Sequence, residues 1–309
     1  MHGAASREAH PAGRVNAVNA GCILAHALKS MGPMRTLLLA LLALLCNAAS
    51  AETARWMAPT PFTHEGQPVA LEVVIDTPAG VGPFPVLVFN HGSTGLGNDP
   101  GLFRRTYLNA GVSAFFNARG WAVAYPQRRG RGASGGLYDE GFQVDRSRYT
   151  CEPEPSLRGL DRAIEDLDAL MAVLEQRKEL DTTRMLIGGQ SRGGLLAVAY
   201  AGRRPERFLG VINFVGGWMT DRCPRPEDIN HVALRRGAGY PRPMLWLYGE
   251  NDPFYSIPHT RAGFESFRGA GGQGAYHVFR IGFGSNGHQL VNHPQLWGAQ
   301  VDEYLATLR

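Results

Sequence analysis

The residues best placed to do chemistry are Gly189-Gln190-Ser191-Arg192-Gly193. A serine at a tight strand-to-helix turn needs small neighbours, because the backbone is strained there and the flanking elements approach closely. Such a turn lifts the Ser191 hydroxyl above a sheet edge. It also sets the next backbone N–H, that of Arg192, at a helix N-terminus, where an oriented donor and the helix dipole stabilise an oxyanion. The corresponding chemistry is covalent acyl transfer. Gly-x-Ser-x-Gly alone is weak in a chain with 39 Gly, and its context strengthens it. Met185-Leu186-Ile187-Gly188 before it reads as a short apolar strand, and Leu195 to Ala201 after it as a helix apolar on every side.

A serine hydroxyl is a poor nucleophile without a base and an acid that orients the base. On strand-turn-helix scaffolds of this kind they follow in the order Ser, Asp/Glu, His. After the apolar run Met244–Tyr248 comes Gly249-Glu250-Asn251-Asp252-Pro253, and Asp252 is the expected acid, with Glu250 and Asp221 as rivals. After the run Tyr276–Ile281 comes Gly282-Phe283-Gly284-Ser285-Asn286-Gly287-His288, and His288 is the expected base. His293 is its main competitor; His277 falls within a strand, and His231 and His259 lack the position. A second oxyanion donor should come from the loop after an early strand. There Asn90-His91-Gly92-Ser93-Thr94-Gly95 offers the Ser93 N–H, with Thr94 behind it and His91 as a structural hydrogen-bonding residue. No HExxH and no paired-Cys cluster occurs, so no metal and no cofactor is expected.

These residues need a frame of alternating strands and helices. Val69–Ile75, Pro85–Asn90, Trp121–Tyr125, Met185–Gly188, Leu209–Val215, Met244–Tyr248 and Tyr276–Ile281 read as strands. Helices are expected over about 103–119, over Leu157–Leu174 with Ser156 as N-cap, after Ser191, and over Pro294–Leu308. The alternation predicts an α/β protein with an open, mostly parallel, doubly wound sheet and helices on both faces.

Together GGQSRGG, HGSTG, LYGENDP and the Gly287-His288 loop resemble the α/β-hydrolase superfamily, in the dienelactone-hydrolase-like branch that shades into the catalytic domains of prolyl-oligopeptidase-like peptidases. The resemblance covers most of the chain from about residue 65 onward. It implies the α/β-hydrolase fold, a Ser191–Asp252–His288 set, and a small-molecule ester as substrate. It departs from dienelactone hydrolases proper, which are cytoplasmic and use a cysteine nucleophile. The rivals are a small-peptide peptidase or amidase, and a catalytically silent binding module on the same scaffold. By analogy with similar enzymes, the loop Arg128–Gly136 borders the mouth of the site, where Arg131 is a candidate for a substrate carboxylate or a solvated turn residue. Trp218, after Gly216-Gly217, is either a wall of an acyl pocket or a core aromatic.

Composition bounds the rest. The 309 residues, 44% hydrophobic and 19% charged, suit one large domain. Met34-Arg35, the Leu/Ala run to Leu45 and Ala49-Ser50-Ala51 read as a signal peptide over about 34–51, too short to span a bilayer. Residues 1–33 are patternless, so translation is expected to begin at Met31 or Met34 and the catalytic domain to occupy 52–309. Cys46 follows Leu44-Leu45 where a lipid-anchor signal would place small residues. Without residues 1–51 the formal net charge of +4 drops to about +1, which gives no case for nucleic acid. No later run is long enough for stable membrane insertion. A secreted or periplasmic location also suits Cys151 and Cys223, an even pair in Pro-rich loops that invites a disulfide.

Overall fold

The computed structural model describes residues 51–309 apart from Leu96, Phe283 and Arg309. Apart from Ala51, the leader and the segment before it lie outside the described residues. The seven apolar runs become strands and an eighth precedes them, so the described residues hold β1 (Glu52–His64), β2 (Gln67–Thr77), β3 (Phe84–Asn90), β4 (Ala122–Pro126), β5 (Leu180–Gln190), β6 (Gly210–Phe214), β7 (Met244–Gly249) and β8 (Gly274–Phe279). They form one open sheet in the order β1-β2-β4-β3-β5-β6-β7-β8. β1 and β2 pair antiparallel, as do β2 and β4, and every later pair is parallel. The parallel centre is buried on both faces, which is why β3, β4 and β6 read as continuous apolar runs rather than alternating ones. β1 escaped the sequence reading because it is a half-exposed edge strand of mixed residues, without a clean period-2 apolar face.

Among the described residues seven α-helices accompany the sheet: α1 (Pro100–Phe103), α2 (Ala110–Asn117), α3 (Pro153–Leu174), α4 (Arg192–Arg203), α5 (Glu227–Arg235), α6 (Ile257–Gly269) and α7 (Pro294–Thr307). They cover both faces. On β6, Phe214 packs its ring on Trp297 of α7, while Asn213, the next residue back, stands against Gly194 of α4. Adjacent strand residues point to opposite faces, so α7 and α4 lie on opposite sides of the sheet. α2 joins α7 through Phe115 on Trp297 and Arg119 on Asp302. α3 and α5 pack with α4.

Two helix boundaries differ from the sequence expectation. The single helix expected over 103–119 is broken, because Thr106 is bound to Glu72 and the Tyr107 backbone to the Gln127 side chain. Asn109 then starts α2 by accepting the Val112 N–H. α3 starts earlier than Ser156: Pro153 takes the first helical position, the Glu152 side chain makes no cap bond, and the Ser156 hydroxyl donates to the Thr150 carbonyl.

Cys151 and Cys223 form a disulfide across 72 residues, joining the segment that leads into α3 to the one that precedes α5. Closing a loop of that length removes about 4 kcal/mol of unfolded-chain entropy in the simplest treatment. Protein starting at Glu52 should show no thiol reactive to a maleimide when denatured without reductant and two after reduction. A paired Cys151→Ser, Cys223→Ser variant should unfold at lower denaturant by a few kcal/mol of stability. Two thiols without reductant would contradict the bridge.

Candidate active site

Ser191 ends β5 and begins α4 at φ +58°, ψ −124°. This left-handed backbone is uncommon for a residue with a side chain. The strain persists because the elements around it touch backbone to backbone. A Cβ on Gly189 would stand 2.5 Å from the Gly193 carbonyl oxygen, and one on Gly193 would stand 2.1 Å from the Asn90 oxygen. Both are below any real contact, so only glycine fits two residues either side of the serine. Val215 (φ +44°) and Asn251 (φ +59°) are similarly strained just after β6 and β7, on the same C-terminal sheet edge where open α/β sheets carry their sites.

At that edge the structure brings three of the expected residues together. The Asp252 Oδ2 meets His288 Nδ1 at 2.8 Å. Its other oxygen, Oδ1, accepts the N–H groups of Phe254 (2.8 Å) and Tyr255 (3.1 Å), so the carboxylate is fixed from both ends and almost fully buried. Phe254 and Tyr255 flank the imidazole with ring centroids 4.7 and 5.6 Å away. Ser191 and His288 line one cleft of about 860 Å³. The acid and base loops are held together by another glycine contact. A Cβ on Gly249 would lie 2.3 Å from the Gly287 oxygen, and one on Gly287 would lie 2.1 Å from the Glu250 oxygen.

The remaining expected residues fall as follows. Ser93 and Arg192 line the cleft, and Gly92 passes so close that a Cβ there would be 3.1 Å from Ser191 Cβ. Trp218 is both wall and core: it lines the cleft yet is 1% exposed. Arg131 is not in the cleft wall. It is buried beneath the Ser93 loop, where its Nη1 donates to the Gly92 carbonyl at 2.9 Å, because the arginines of this loop are turned inward by buried partners. Arg129 likewise pairs with Glu165 and Asp166, and Arg128 with Glu140. His293 sits at the start of α7, His277 in β8, and Glu250 pairs with Arg280. Asp221 accepts the Ser256 N–H. Among the described residues, no group of three or more His, Cys, Asp or Glu is placed to hold a metal ion.

His91 has the structural role expected of it. The Arg128 N–H faces its Nε2 at 3.3 Å, and its Nδ1 lies 2.9 Å from the Gly92 carbonyl and 3.0 Å from Arg131 Nη1. Burial first, then the charges of Arg128 and Arg131, push the imidazole well below its usual pKa. It is therefore neutral and supports the loop that carries Ser93.

Three residues were missed. Glu140, fully buried, accepts Arg128 Nε at 2.6 Å and lies 3.5 Å from Arg192 Nη1, whose better bond is to the Glu140 carbonyl at 2.7 Å. Burial raises the Glu140 carboxyl, but Arg128 and Arg192 outweigh it and hold the group below its ordinary value. Arg128 Nη1 also donates to the His91 carbonyl, so Glu140 connects the Ser93 loop to the start of α4. The clue in the sequence is a run of arginines needing counter-charge, followed by Asp139-Glu140. Gln190 donates from Nε2 to the His288 carbonyl at 2.9 Å, tying the base loop to the residue before Ser191. Tyr255 donates to the Gly217 carbonyl at 2.8 Å, behind Trp218.

No family model and no curated protein matches the chain. Solved structures do match. An esterase from Pyrococcus furiosus is 16% identical over 84% of this chain and 91% of its own, with a TM-score of 0.56. Est1E from Butyrivibrio proteoclasticus, solved with ferulic acid bound, is 15% identical over 80% and 97%, with a TM-score of 0.54. A protein from Bacteroides ovatus described as a dipeptidyl aminopeptidase IV is 13% identical over 85% of this chain, with a TM-score of 0.56, but this chain spans only 36% of its length.

A neutral buried His91 also makes acid sensitivity testable. Its folded pKa lies below that of the unfolded chain, so its contribution to stability is complete above about pH 6.5 and is lost as pH falls towards the folded value. This one group should therefore lower stability progressively as pH falls from about 6.5 to about 5.5. Urea unfolding of wild type and His91→Gln at those two pH values should show the smaller loss in the variant; equal losses would contradict a buried neutral imidazole. Strand order, the open mostly parallel sheet and these likenesses together show that the chain has the α/β-hydrolase fold.

Proposed function

We propose that this protein is an exported serine hydrolase that cleaves carboxylic esters of small molecules through an acyl-enzyme on Ser191. The observation that carries the reading is the Asp252–His288 pair at 2.8 Å, facing the cleft that also holds a serine in a strained left-handed turn. With Nδ1–H given to Asp252, His288 has Nε2 free to take the Ser191 proton, and the doubly anchored carboxylate steadies the imidazolium that forms. The serine oxygen attacks the ester carbonyl, and the N–H groups of Arg192 and Ser93 receive the oxyanion. His288 returns the proton to the departing alcohol, and water then releases the acid by the same steps in reverse. The Cys151–Cys223 disulfide supports an oxidising compartment, in keeping with the leader expected over about 34–51. Among the described residues no helix is long and apolar enough to cross a membrane.

Ser191→Ala should lower hydrolysis of 4-nitrophenyl acetate by at least about 10³-fold, and Asp252→Asn by about 10³- to 10⁴-fold, with the far-ultraviolet dichroism unchanged. Retained turnover in the folded Ser191→Ala protein would refute the assignment. Faster turnover of a peptide 4-nitroanilide than of the matching ester would replace the esterase reading with a peptidase one.

A further inference from the structure

The cleft carries charge of one sign. Its charged wall residues are Arg148, Arg192 and Arg222, with no Asp or Glu among the described residues that line it. Arg192 is buried, donates to the Glu140 and Trp218 carbonyls and is clamped between the Tyr149 and Trp218 rings. Arg148 and Arg222 are exposed. Among the described residues neither forms an ion pair: Asp145 is held by the Ser147 N–H and hydroxyl, though within reach of the Arg148 charge, and Asp221 accepts the Ser256 N–H. Arg222 Nη2 donates to the Pro253 carbonyl at 3.0 Å, which keeps its guanidinium beside the loop of Asp252 with other N–H groups available.

These two arginines come from segments far apart in the chain. The disulfide brings them to one wall, because Arg148 stands three residues before Cys151 and Arg222 directly before Cys223, with the two cysteine Cα atoms 5.5 Å apart. Tyr149, Trp218 and Phe254 supply aromatic surface in the same cleft. A guanidinium pair beside an apolar wall suits a body of carbon that ends in a carboxylate, since the arginine fork binds both carboxylate oxygens. A cleft wall whose exposed charges are both cationic also concentrates anions.

Resting on the ester-hydrolase reading above, we infer that Arg148 and Arg222 form a carboxylate subsite, and that the substrate is an ester with a free carboxylate elsewhere in the molecule. The test compares kcat/KM for mono-4-nitrophenyl adipate with that for 4-nitrophenyl methyl adipate, which has the same chain and no charge. Wild type should favour the anionic ester by about tenfold or more, mainly through KM. The preference should shrink as salt is raised from about 20 to about 500 mM. The ratio should fall by about threefold in Arg148→Gln or Arg222→Gln and approach one in the double variant, whereas Lys at both positions should restore part of it. A wild-type ratio of one or below, or a ratio unchanged in the double variant, would overturn the subsite and leave the esterase reading intact. No turnover of either ester by wild type would overturn both.

Discussion

Ser191 occupies a left-handed turn between β5 and α4, where two segments of backbone touch with no room for a Cβ at residue 189 or 193. Every other feature of the candidate site refers to that turn. The Asn90 carbonyl that closes on Gly193 belongs to the end of β3, so the strand carrying the Ser93 loop is packed directly against the start of α4. The Ser191 N–H donates to the Phe214 carbonyl at the end of β6, and its own carbonyl accepts from Gly194 and Leu195. A strained turn of this kind survives only because its surroundings over-determine it, and here three strand ends and a helix do so.

A buried polar layer beneath the cleft serves the same geometry. Arg128, Glu140 and Arg192 form a chain of charge-assisted bonds running from the His91 carbonyl to the Trp218 carbonyl. Removing one member would leave a buried charge without its partner, which is far more damaging than the modest net worth of an intact pair. The layer therefore fixes the relative position of the Ser93 loop, the helix start and the Trp218 wall, at the cost of tolerating few substitutions. Gln190 and the Gly249–Gly287 contact do the corresponding work for the loops of Asp252 and His288.

Much of this was legible in the sequence, for physical reasons that differ by element. Central strands are buried on both faces, so β3, β5, β6 and β7 announce themselves as apolar runs, and the residues after β5, β7 and β8 could be read as site loops in their order. β1 was silent because an edge strand buries little: its inward positions alternate regularly but include Thr60 and His64, while Met57, Pro59 and Pro61 face out. The break between α1 and α2 depends on bonds to Glu72 and Gln127, which are distant in the chain and invisible to local periodicity. The sequence leaves Arg131 as either a carboxylate-binding or a solvated turn residue, because its loop leaves the right strand end. Its direction, however, is set by a buried carbonyl that no spacing rule reveals. Glu140 was missed for the same reason, since counter-charge is a three-dimensional relation. The charge left in the cleft instead belongs to Arg148 and Arg222, which the disulfide gathers from remote segments.

The central claim is that Ser191 is activated by the His288–Asp252 pair. Its most direct test is to label native protein with a fluorophosphonate and locate the adduct by peptide mass spectrometry. The account predicts a single adduct on Ser191, formed by wild type and lost on replacing His288 by alanine. An adduct on another serine, or none on native wild-type protein, would contradict it.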